Sequence, residues 1–77
     1  MNVDDVIRLL LDEVGVPGPI GADTPLLTSG LVDSFGVPVL VEALEQSAGI
    51  PLSVELVGAD NFDTPRDIVA TLQSLGG

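Results

Sequence analysis

The stretch "GVPGPIGADTP", residues 15 to 25, constrains this chain more than any other. It holds three prolines and four glycine or alanine positions, so neither a helix nor a central strand can run through it. What forms before it and what forms after it must be separate elements that pack together across a long loop.

Before the loop, "VDDVIRLLLDEV", residues 3 to 14, places Val3, Val6, Ile7, Leu10 and Val14 at helical spacing, with Asp4, Asp5, Arg8, Asp12 and Glu13 mostly opposite. Asn2 suits the N-cap, and Asp4 and Asp5 suit the positive end of the helix dipole. The loop runs on through "LLTSGL", where Leu26, Leu27 and Leu31 are expected to tuck onto a bundle and Gly30 to take a turn conformation that other residues resist. From Asp33 onward, Val37, Leu40, Val41 and Leu44 recur at i, i+3, i+4 and i+7, with Glu42, Glu45 and Gln46 facing out and a glycine C-cap near Gly49. The segment "IPLSVELVGADNF" is ambiguous; Ser53 or Asp60 could cap a single helical turn there. Thr64 followed by Pro65 starts a final helix whose stripe is Ile68, Val69, Leu72 and Leu75. The expected fold is all-α: a four-helix bundle in one domain over residues 1 to 77, with three main helices, one short helix and the long loop between the first and second.

A chain of 77 residues builds one core, and with two Phe and no Trp or Tyr that core must be aliphatic. The absence of Cys removes disulfides and thiolate catalysis, and the absence of His removes the commonest general base and metal ligand. Self-contained catalysis is therefore not expected. No apolar run is long enough for a bilayer, and the N-terminus has acids where a secretory signal has bases, so a cytoplasmic protein without stable membrane insertion is expected. Twelve acids against Arg8 and Arg66 give a net charge of -10, which repels nucleic acid and favours basic protein surfaces and a monomer. Any one of these acids serves equally well to keep a small apolar domain in solution.

"LVDSFG", residues 31 to 36, sets a serine at the expected start of the second helix. Three readings compete. Asp33 can be an ordinary N-cap with Ser34 a small polar residue in the first turn. Ser34 can be a nucleophile, for which the chain offers no His or Lys as base. Or Ser34 can be an attachment point modified by another enzyme, where a phosphate would sit against free N–H groups and the positive helix end. The carboxylates of "DNFD", residues 60 to 63, and of Asp4 and Asp5 lack the alternating ligands, central Gly and closing Glu of a calcium loop, and no metal site is expected.

"DTPLLTSGLVDSFGVPVLVEALEQSAGIPL", residues 23 to 52, resembles the core of acyl and peptidyl carrier proteins, and the likeness carries on through "FDTPRDIVATLQSL". The resemblance implies that Ser34 carries 4′-phosphopantetheine, transferred from coenzyme A by a Mg²⁺-dependent phosphopantetheinyl transferase, and that the arm's thiol holds a cargo as a thioester. It implies that Asp33 caps the second helix and helps the transferase hold its metal, and that Phe35 anchors the loop or meets partners. A chain without Cys fits this, since the reactive sulfur belongs to the prosthetic group. "DSFG" and "TPRDIVATLQSL" look closest to D-alanyl carrier proteins and free-standing aminoacyl carriers. Fatty-acid carriers usually have Leu or Met after the serine and acids along the second helix. Here Gly36, Val37, Pro38 and Val39 make its start apolar, and Glu42 and Glu45 are its only acids.

A docking face of Phe35, Val37, Val39, Glu42 and Glu45 is therefore expected to be more hydrophobic than the fatty-acid type. Its implied partners are the transferase, a loading adenylation enzyme or acyltransferase, and a downstream acyl-accepting enzyme. Abundant Gly and Val without Lys, in a chain that reads as whole at both ends, favours a discrete carrier of a bacterial natural-product pathway over cell-wall D-alanylation. The rival of another class is an acidic helical adaptor that carries nothing. Pro38 leaves two readings open. Either the first turn of the helix is distorted, or the helix begins later and Ser34 lies in the loop.

Overall fold

A computed structural model describes residues 1 to 76, apart from the side chain of Val54. Helix α1 spans Val3–Leu9 and runs on as a wider π-helical segment, Leu10–Val14. Helix α2 spans Gly36–Ala48, a 3₁₀ turn Val54–Leu56, α3 Ala59–Phe62 and α4 Pro65–Ser74. Helix α1 lies against both α2 and α4, and α3 packs on α4. The all-α bundle of three main helices and a short one is the fold the apolar spacing predicts.

Asn2 and Asp5 form a reciprocal cap on α1. Asn2 Oδ1 accepts from the Asp5 amide at 2.8 Å and Asp5 Oδ2 from the Asn2 amide at 3.0 Å. The helix widens after Leu9 and closes on Gly15, whose N–H donates to the Leu10 carbonyl and whose φ of 81° turns the Val16 amide back to the same oxygen at 3.0 Å. Leu9 and Leu10 are both buried. Leu9 was absent from the predicted stripe, and Ile7, which was in it, is only half-buried.

The core is aliphatic apart from Phe62. It takes Val6, Leu9 and Leu10 from the first helix, Leu40, Val41 and Leu44 from α2, and Ile68, Val69 and Leu72 from α4. The long loop adds Val16, Leu26 and Val32. Two leucines expected in this core lie at its surface. Leu31 is exposed because the chain bends after Gly30 and turns Val32 inward instead. Leu75 is exposed because α4 stops at Ser74 and the backbone leaves helical geometry at Leu75.

The ambiguous segment resolves into two pieces. Ser53 Oγ accepts from the Glu55 amide at 3.1 Å and so caps the 3₁₀ turn, whereas α3 starts at Gly58 with no side-chain cap and is pinned by the fully buried Phe62. Helix α4 begins as its sequence predicts, with Thr64 Oγ1 accepting from the Asp67 amide and Pro65 in the first turn.

Candidate functional site

The regular part of α2 begins at Gly36, and Ser34 and Phe35 form the turn that leads into it. Asp33 organises that turn. Its Oδ1 accepts from the amides of Phe35 at 3.0 Å and Gly36 at 2.9 Å, and its carbonyl accepts from Gly36 and Val37, each at 3.0 Å. The next bond of the ladder would run to the Ser34 carbonyl from residue 38, but proline has no N–H. Pro38 thus delays the helix, and of its two readings the later start is the observed one. Gly36 is half-buried, where a Cβ would come within 3.3 Å of Val32 Cγ1 and 3.6 Å of Val14 Cγ1. The end of the first helix and the start of α2 meet at this residue.

Ser34 is exposed, and its hydroxyl makes no hydrogen bond to any described residue. Asp33 Oδ2 is likewise without a partner among the described residues. Of the first-turn N–H groups expected to meet a phosphate on Ser34, only that of Ser34 itself has no acceptor among the described residues. The amides of Phe35, Gly36 and Val37 all point to Asp33, and Pro38 has none to offer.

The expected docking residues separate. Phe35 is 85% exposed, so it does not anchor the loop. Val39, one helical turn on, is 44% exposed, Pro38 between them is exposed, and Glu42 lies a further turn along on the surface. Val37 packs against the core instead of facing out. Glu45 is half-buried, with its Oε2 accepting from the Leu52 amide at 2.7 Å, because the chain folds back after Gly49 and brings that amide under α2. It ties down the connection to the 3₁₀ turn and is not a free surface charge. A groove of about 470 Å³ follows the first helix, lined by Met1, Asp5, Arg8, Leu9, Asp12 and Glu13, with Ser47 from the far end of α2. Ser34 is not among its lining residues.

A family model for the phosphopantetheine attachment site matches residues 4–72. The chain belongs to the phosphopantetheine-binding carrier family. Among curated proteins none matches the sequence. A carrier domain of this family bears a covalently attached 4′-phosphopantetheine group and is not itself an enzyme, and it works with phosphopantetheinyl transferases and partner enzymes. The free, exposed hydroxyl of Ser34 fits attachment of that group, which needs an accessible oxygen and no local base when another enzyme supplies the chemistry. Among the described residues, no helix of the carrier is long and apolar enough to cross a membrane.

One residue of this region escaped the sequence reading except as a rejected metal ligand. Asp63, between α3 and α4, holds the loop that leads to Ser34. Its carbonyl accepts from the Leu26 amide, and its Oδ1 accepts from the amides of Leu27 and Thr28 at 3.0 and 2.9 Å. The Thr28 hydroxyl donates to the same carboxylate. The Thr28 amide does most to hold the Asp63 carboxyl below the usual carboxylate range, aided by the Thr28 hydroxyl and the Leu27 amide and opposed by desolvation. Beside it, Arg66 pairs with Asp23 at 2.9 Å and donates its amide to the Ala22 carbonyl. The hydrogen bond and charge of Arg66 lower the pKa of Asp23, and Asp23 raises that of Arg66.

Proposed function

We propose that residues 1 to 77 form one carrier domain that serves a bacterial natural-product pathway, with Ser34 as its attachment residue. What supports this best is the unengaged Ser34 hydroxyl on a turn built by Asp33 and set beside the exposed side chains of Phe35, Pro38 and Val39. In the modification, Ser34 Oγ forms a bond to the phosphorus next to pantetheine in coenzyme A. The phosphoanhydride bond breaks, adenosine bisphosphate leaves, and the serine proton passes to a base of the transferase. Asp33 Oδ2, left free by the capping bonds of Oδ1, would help the transferase hold its Mg²⁺.

Once attached, the arm supplies the thiol that holds an acyl or aminoacyl cargo as a thioester. The chain's own part is to present and to be recognised. The amides of Phe35, Gly36 and Val37 are already used and Asp33 is a negative neighbour, so little near Ser34 draws the phosphate onto the surface, and the arm is free to reach other enzymes. Phe35, Val39 and Glu42 form the face for the transferase, for a loading adenylation enzyme or acyltransferase, and for the enzyme that accepts the cargo.

The test is intact mass after incubation with coenzyme A, Mg²⁺ and a broad-specificity phosphopantetheinyl transferase. The parent is expected to gain one phosphopantetheine group and Ser34→Ala none; a gain on the variant would refute the assignment. Val39→Glu is expected to slow turnover by the loading enzyme while leaving the melting curve unchanged, and unaltered kinetics would remove Val39 from the docking face.

A further inference from the structure

The residues that hold Ser34 in place extend well beyond its own turn. The Val32 amide donates to the Leu26 carbonyl at 2.9 Å, and the Val32 side chain is buried two residues before Ser34. Leu26, fully buried, donates its own amide to the Asp63 carbonyl, while Leu27 and Thr28 close on the Asp63 carboxylate. An unbroken run of hydrogen bonds and buried side chains thus leads from the α3–α4 junction to the attachment residue. Arg66, three residues further along, grips the earlier part of the same loop through Ala22 and Asp23.

The geometry points to Asp63 as a positioning residue for modification of Ser34, acting through the turn at residues 26 to 32. This role rests on the assignment of Ser34 as the attachment site. Asp63 touches neither coenzyme A nor the reacting hydroxyl. It restricts the loop to the arrangement in which Val32 is seated and the Asp33 cap presents Ser34 outward. Without its carboxylate the amides of Leu27 and Thr28 lose their acceptor, and the loop exchanges among arrangements of which only a fraction suits the transferase. Apparent affinity falls in proportion to that fraction, while the step in the bound complex is unchanged.

The test compares parent, Asp63→Ala, Asp63→Asn and the core truncation Val6→Ala, all as the full chain. Transferase kinetics with coenzyme A and Mg²⁺ are read by intact mass, and amide hydrogen exchange is read on the unmodified proteins. Asp63→Ala is expected to raise KM for the carrier about tenfold at nearly constant kcat, and to speed exchange at Leu27, Thr28 and Val32. Asp63→Asn is expected to restore both, because its amide oxygen still accepts from the two backbone donors. Val6→Ala is expected to lower the melting temperature without changing KM at a temperature where it stays folded.

Unchanged KM in a folded Asp63→Ala, or an equal rise in Val6→Ala, would overturn the positioning role. A parent that gains no group, or a Ser34→Ala variant that does, would remove the Ser34 assignment and this role with it. That failure is distinguishable because the exchange measurement needs no transferase. If Asp63→Ala leaves exchange at Val32 unaltered, the link from the junction to the serine does not exist.

Discussion

Asp33 and Asp63 do the same thing with the same atom, in that each uses Oδ1 to accept from two consecutive backbone amides. Their reach differs. Asp33 caps residues two and three places ahead of it, whereas Asp63 caps residues 35 and 36 places behind it. The local cap sets the shape of the turn that carries Ser34. The distant one fixes where the loop bearing that turn sits on the bundle. On the proposed assignment of Ser34 both matter, since a well-shaped turn on a wandering loop would offer its hydroxyl in the wrong place.

The comparison can be broken most severely at Phe62, the buried neighbour of Asp63. Phe62→Ala is expected to cost about 4 kcal/mol, against a total of roughly 4 to 12 kcal/mol for a domain of this length. Urea unfolding should show a greatly lowered midpoint or no cooperative transition. Asp33→Ala removes the local cap and is expected to cost about 1 kcal/mol by the same measurement.

Asp33→Asn sharpens the contrast within one residue. Asparagine caps as well as aspartate, so stability should hold, while the rate of phosphopantetheine transfer should fall for want of the Oδ2 charge. Equal rates would reduce Asp33 to a cap.

Gly36→Ala should change the melting temperature little. The helix gains about 1 kcal/mol in propensity, and the 3.3 Å approach to Val32 Cγ1 opposes it. Shifted methyl resonances of Val14 and Val32 would show the crowding.

The smallest effect at neutral pH is the titration of Asp63 and Asp23. Their folded pKa values lie below the ordinary 3.8, so what they contribute to stability is complete above that pH and is lost as pH falls through the folded values. Below pH 3.8, the melting temperature of the parent should drop more steeply than that of Asp63→Asn.

The contrast also explains what could be read from the chain alone. Asp33 lies three residues before the start of α2, and Thr64 directly precedes Pro65, so short-range spacing marks both caps. The apolar stripes of α2 and α4 are equally legible because their period is that of the helix they form. Asp63 was invisible for the opposite reason. Its partners lie in a loop with no periodicity, and nothing near it in sequence says which amides it will meet. Glu45 was misplaced on the same ground, since an acid on the polar side of a helix reads as solvated until the chain folds back and brings the Leu52 amide to it. The widened end of the first helix was missed because a π-helical turn changes the repeat that the reading assumes.

The loop's buried pegs, Val16, Leu26 and Val32, bear on any attempt to splice a tag or a reporter into this domain. The obvious target, the longest irregular stretch, is safe only over Pro17, Gly18 and Pro19, which are all exposed. An insertion after Asp23 would separate the Asp23 contact from the Leu26 anchor, and with it loosen the proposed footing of Ser34. The eligible window is three residues wide.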